Sequence, residues 1–194
     1  PVINAGSGAD QHPTQALLDV YSLKRYLGSV DGKHIGMVGD LKRGRTVRSL
    51  SYLMKNFKGV RLTFAAPPAF AMNPDILEFL RRHDIPYMET QDLDSGLRDA
   101  DAVYMTRIQD EHDKGGESAK VDYSPFHLTR ARMALLPKHA VVLHPLPRRE
   151  EIPAELDDDP RVVVFRQERN GMWIRAALIA HLFGLDDVIL AKKP

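Results

Sequence analysis

His12-Pro13-Thr14-Gln15 sets an imidazole and a carboxamide about one helical turn apart, two side chains able to handle a carbonyl group. Pro13 suits a first helical position, since its fixed φ fits the helix and its missing N–H has no intrahelical partner to lose. His12 and Gln15 then lie near helical N–H groups that favour partial negative charge. The alternative is helix punctuation with a solvent-facing amide. Three later segments carry further polar groups: Gly39-Asp40-Leu41-Lys42-Arg43-Gly44-Arg45-Thr46, Tyr104-Met105-Thr106-Arg107-Ile108-Gln109 and Leu143-His144-Pro145-Leu146-Pro147-Arg148. Arg45 follows flexible Gly44 at or near a helix start, where backbone N–H groups and a guanidinium fork suit a carboxylate or phosphate. Its alternative is a solvated basic turn made by Lys42, Arg43, Arg45 and Arg48. Arg107 and Gln109, two residues apart, fall on one side of an extended chain, or form a charged strand end turned to water. In the third segment two prolines restrict the backbone and hold its carbonyls still, with either His144-Pro145 or Leu146-Pro147 a candidate cis bond.

The elements that position these groups follow from apolar spacing. Residues 13–27 carry Ala16, Leu17, Val20, Tyr21, Leu23 and Leu27 at helical intervals, ending at Gly28. Short apolar runs at 34–38, 60–66, 85–88, 102–105 and 140–143 read as strands, separated by helical stretches at 46–57, 74–83, 92–99 and 128–135. A sixth run, 162–165, precedes a final helix at 171–183. The alternation predicts an α/β fold: a three-layer, Rossmann-like domain with a central parallel sheet of about five strands flanked by helices. Ligands of such sheets bind beyond the carboxyl ends of the strands, which is where all three later motifs begin.

The 194 residues are read as one domain, 1–194, and 27 Lys+Arg against 26 Asp+Glu give no broad field to draw nucleic acid or membrane. No apolar run is long enough to span a bilayer. With no cysteine and no His-Glu-x-x-His, neither a metal nor another cofactor is expected. The missing cysteine also fits a reducing, cytoplasmic setting. No Walker or glycine-rich dinucleotide pattern is present. His34, His83, His127, His139 and His181 are read as structural or surface residues, and Trp173 as a core or domain-packing residue. Residues 110–124, with Gly115-Gly116, make a connection long enough for a lid, or for a disordered segment.

The four motifs in this order resemble the aspartate-binding half of the aspartate transcarbamoylase family, from Pro1 to about Gly184. The resemblance implies carbamoyl transfer from carbamoyl phosphate to L-aspartate in pyrimidine synthesis. It gives His12 the carbamoyl oxygen and Gln15 the carbamoyl amino group. Arg45, Arg107 and Gln109 become aspartate ligands, the Leu146 carbonyl a contact to the reacting amine and carbamoyl group, and Thr46 and Arg148 further substrate-binding candidates. It further implies a carbamoyl-phosphate-binding domain that this chain lacks, a homotrimer of complete catalytic chains, and no transfer by the isolated domain. His112 stands where the family often has an arginine that holds the closed form. An ornithine-type enzyme shares the fold, but Arg107 opposes a cationic substrate and Pro145 replaces the cysteine usual there. The remaining alternative is a stand-alone, non-catalytic module for binding a small anion or for assembly.

Overall fold

The structure, a computed structural model, describes residues 1–8, 10–113, 116 and 118–191, and of His112 only the backbone. Gly115 and the His112 side chain, both singled out in the sequence, lie outside the described residues. Five parallel strands form one sheet in the order β3-β2-β1-β4-β5: β1 at His34–Val38, β2 at Arg61–Ala65, β3 at Tyr87–Thr90, β4 at Ala102–Met105 and β5 at Val141–Leu143. Alternate residues enter two cores. Ile35, Met37, Tyr104 and Leu143 pack with α1 (Pro13–Leu27), α2 (Arg45–Leu53) and α3 (Pro74–Arg82), whereas Val38, Val103, Met105 and Val142 pack with α4 (Leu93–Leu97) and α5 (Arg130–Met133). Burial on both faces explains the unbroken apolar runs, and the three layers are those the sequence predicts.

The strand order reverses between β1 and β4, so the chains leaving them diverge and open a crevice. Gly39 makes the two exits meet: its φ is 115°, and a Cβ there would lie 2.2 Å from the Thr106 carbonyl oxygen.

The spans of α1, β1 and β4 agree with the sequence reading, while other elements are trimmed. α2 ends at Leu53 and continues as a single 3-10 turn, Met54–Asn56. β3 begins at Tyr87, after Pro86, which has no N–H to give a ladder, and as an edge strand it leaves Met88 exposed. The sixth apolar run makes only a single bridge, from Val162 to Val142, and the final helix, expected at 171–183, is α6, which begins at Val164 and runs to Leu182. Those valines are apolar because Val163 enters one core and Val164 the other at the sheet edge, not because the chain is extended.

The face of α1 that is buried also differs from the apolar reading. Leu17 is exposed, whereas Gln15, Asp19 and Ser22 are buried against α6 and the sheet. Gly171 permits that approach, because a Cβ there would lie 2.9 Å from Leu18 Cδ2. Trp173 is not a core residue: with Phe165, Met172 and Ile179 it stands exposed along α6, beyond which come exposed Phe183 and the short helix α7 (Asp186–Leu190). Among the described residues no helix is long and apolar enough to cross a membrane.

Candidate active site

A cleft of about 450 Å³ lies at the carboxyl end of the sheet where β1 and β4 part. α1 contributes His12 and Gln15, the start of α2 contributes Arg45 and Thr46, the exit of β4 contributes Arg107 and Gln109, and Leu146 comes from the loop after β5. Residues picked out across more than a hundred positions of sequence thus share one cavity. Arg148 does not line it. Past the Leu146–Pro147 bond, which is cis, the Arg148 side chain pairs with Asp157 and lies 5.3 Å over the Phe165 ring.

His12 occupies the N-cap of α1, and its backbone N–H donates to Ser49 Oγ at 2.8 Å, tying it to α2. Burial, followed by the charges of Arg45 and Arg175, holds the imidazole below its ordinary pKa of 6.5. The ring is therefore neutral near pH 7 and offers one N–H donor. Its Nδ1 is buried without a hydrogen-bond partner among the described residues. Gln15 Nε2 donates to Asp19 Oδ1 at 3.0 Å, which leaves the Gln15 carbonyl oxygen as the acceptor for the cleft.

Arg45 stands at the first turn of α2 and donates from Nη1 to the Gly8 carbonyl at 2.9 Å. Arg107 reaches the Ile108 carbonyl at 2.8 Å and forms a two-pronged ion pair with Glu111, itself part of the cleft wall. The Gln109 backbone is clamped on both sides. Its N–H donates to buried Asp40 at 3.2 Å, and its carbonyl accepts from Arg43 at 3.0 Å. Burial pushes the Asp40 carboxyl up, and the N–H groups of Gln109 and Arg43 draw it part of the way back.

Leu146 has φ 56°, a strained value for a branched residue, and is held there by its N–H donating to His144 Nδ1 at 2.9 Å. Because Nδ1 accepts, the His144 proton sits on Nε2 and is donated to Glu151 Oε1 at 2.8 Å. Burial pushes Glu151 up, but the bonds from His144 and the Arg149 N–H outweigh it and leave the carboxyl below its ordinary range. Sequence reasoning valued this loop for its prolines and missed the ring that pins it. It also missed Asp19, Glu111 and Glu151. The available signals were spacings: Asp19 stands four residues after Gln15, and Glu111 four after Arg107.

Two guanidinium groups suit a substrate with two carboxylates. A neutral imidazole N–H beside helix N-termini suits an oxygen that gains charge during reaction.

Comparison with known proteins agrees with the geometry. Residues 31–182 match the family model for the Asp/Orn-binding domain of aspartate/ornithine carbamoyltransferases. A chloroplastic aspartate carbamoyltransferase of Oryza sativa subsp. japonica is 45% identical over 184 residues, covering 92% of this chain and 50% of the relative. The multifunctional protein CAD of Squalus acanthias is 46% identical, covering 95% of this chain and 8% of that protein. Aspartate transcarbamoylase of Trypanosoma cruzi, solved with aspartate and phosphate, superposes with a TM-score of 0.83 at 39% identity over 92% of this chain and 56% of its own. The chain thus spans about half the length of the rice relative and a small part of the multifunctional one. It belongs to the aspartate/ornithine carbamoyltransferase family, of which it carries the Asp/Orn-binding domain.

Proposed function

We propose that the cleft holds L-aspartate and aligns its α-amino group with the carbonyl carbon of carbamoyl phosphate, as the aspartate-binding half of an aspartate carbamoyltransferase acting in pyrimidine synthesis. The observation that carries this reading is the convergence of Arg45, Arg107, His12 and Gln15 on one cleft. The amine attacks the carbamoyl carbon, a C–N bond forms, the C–O bond to phosphate breaks, and the amine gives up a proton as phosphate leaves. Arg45 and Arg107 hold the two carboxylates, with the Gln109 side chain beside them. His12 donates to the carbonyl oxygen as it becomes an oxyanion. Gln15, with its N–H spent on Asp19, accepts from the carbamoyl amino group, and the fixed Leu146 carbonyl faces the amine. Holding both reactants in register supplies much of the acceleration.

The phosphate of carbamoyl phosphate falls to a second domain, and the exposed apolar row on α6, with Trp173 at its centre, is the surface we assign to packing against it. In this reading the complete catalytic chains form a cytoplasmic homotrimer, and the 194 residues alone transfer no carbamoyl group. An ornithine substrate is disfavoured, because its side-chain cation would meet Arg107.

The test is a transfer assay on the full-length protein with carbamoyl phosphate and either amino acid. N-carbamoyl-L-aspartate is the expected product. Transfer to ornithine but not aspartate would reverse the assignment, and steady turnover by the 194-residue domain would refute the need for a second domain.

A further inference from the structure

Behind the cleft, a continuous polar relay runs from Gln15 and His144 in the cleft wall into the core. Asp19 is its centre: Oδ1 accepts from Gln15 at 3.0 Å and from Gln167 Nε2 at 2.6 Å, and Oδ2 accepts from the Tyr104 hydroxyl at 2.7 Å. Asp19, Tyr104 and Gln167 are each fully buried, and among the described residues no lysine or arginine forms an ion pair with Asp19. Gln167 continues the relay, since its carbonyl oxygen accepts from the His144 N–H at 2.8 Å. The His144 ring in turn holds the Leu146 N–H.

The chemistry of this arrangement is directional. When ionised, Asp19 can only accept, so Gln15 turns its NH₂ inward and its oxygen outward to the cleft, and Gln167, whose oxygen is taken by the His144 N–H, turns its NH₂ to Asp19. Burial and the neighbouring Asp19 charge keep the Tyr104 phenol well above its ordinary pKa, so it remains a donor. With a neutral amide at position 19, Gln15 would be as well satisfied in either orientation, whereas Gln167 would still be held by the His144 N–H.

We propose that Asp19 is a positioning residue that fixes the amide orientation of Gln15 and, through Gln167 and His144, the placement of Leu146, so that one buried carboxylate sets two separate parts of the cleft. This rests on the carbamoyl-transfer reading for its effect on turnover, but the orientation itself is independent of that reading. A carboxylate that merely fills a polar gap between α1 and α6 would stabilise their packing without dictating which atom Gln15 presents.

The experiment compares the full-length protein with Asp19→Asn, a substitution of nearly equal shape. The Gln15 side-chain NH₂, followed by NMR, should exchange with solvent about tenfold faster once its fixed acceptor is lost. In the same variant kcat should fall about 10- to 100-fold while the aspartate KM stays within about threefold, since the carboxylate-binding arginines are untouched. Unchanged amide exchange would overturn the proposal, as would a lowered Tm with kcat intact. If Asp19→Asn does not fold, Tyr104→Phe replaces it: loosening the carboxylate should speed Gln15 exchange about threefold, and no change would again overturn the proposal. Should the native protein transfer no carbamoyl group, the proposed function fails, and amide exchange alone decides the positioning claim.

Discussion

The two walls of the cleft are made of different material. One wall, formed by α1 and the loop after β5, rests on Asp19, Gln167, His144 and Glu151, all buried and linked by hydrogen bonds. The other wall leads from β4 into residues 107–113, where Arg107 is restrained by the neighbouring Ile108 carbonyl and by exposed Glu111, and then into short 3-10 turns at Ser118–Lys120 and Ser124–Phe126. A buried, closed network leaves each polar group one low-energy arrangement, whereas exposed ion pairs are worth little and rearrange readily. The rigid wall carries the groups assigned to the carbonyl centre, and the adjustable wall carries Arg107 and Gln109, assigned to the aspartate carboxylates together with Arg45 from α2. Charge developing in a transition state calls for donors that are already in place, while a flexible substrate can be captured by groups that move to it.

The largest effect expected is on the rigid side. His12→Ala should lower kcat by about 10²–10³-fold with little change in aspartate affinity, as for loss of one oxyanion donor. A loss confined to aspartate binding would mean that the two walls do not divide the labour in this way. On the adjustable side, Arg107→Ala should raise the aspartate KM by about 10- to 100-fold and lower kcat, corresponding to about 1.5–3 kcal/mol for a charge-assisted carboxylate contact. Carbamoyl-phosphate binding should stay intact, and unchanged aspartate kinetics would remove Arg107 from the site.

The rigid wall also predicts a pH effect on stability. Burial pushes the Asp19 carboxyl up to about 7 from an unfolded value of 3.8, against the pull of Tyr104, Gln167, Gln15 and the more distant Arg175. Between those values the folded state binds more protons than the unfolded one, so this group's contribution to stability declines as pH rises through about 4 to 7. The Tm of Asp19→Asn should therefore gain on that of the native protein across the window, and a constant difference would contradict the buried charge. The smallest effect is expected at Arg148, whose pair with Asp157 lies at the surface. Arg148→Ala should shift aspartate KM less than twofold and stability by about 0–1 kcal/mol.

Much of this molecule was legible because its signals are local or periodic. The helix N-terminus at Pro13, the strands at 34–38 and 102–105, and the opening of the later motifs at strand ends follow from proline geometry and two-sided burial, and these place His12, Gln15, Arg45 and Arg107 in one crevice. The valines at 162–165 misled because an apolar β-branched run has the same composition whether it is a strand or a buried helix start. The relay was invisible for a different reason. Asp19 and Gln167 are 148 residues apart, and a polar residue on a helix reads as solvent-facing until its partners are known. Arg148 shows the opposite failure: a motif can end one residue past the last group that faces the ligand.

Hydrogen exchange on the full-length protein, with and without a bisubstrate analogue joining a phosphonate to aspartate, tests the contrast between the walls most directly. The account predicts that the analogue slows exchange by about tenfold or more at residues 107–113 and 118–124, while 13–19 and 143–151, already protected without ligand, change less than about twofold. Equal changes on both walls would contradict the division between a rigid and an adjustable side, and no protection on either would contradict the site itself.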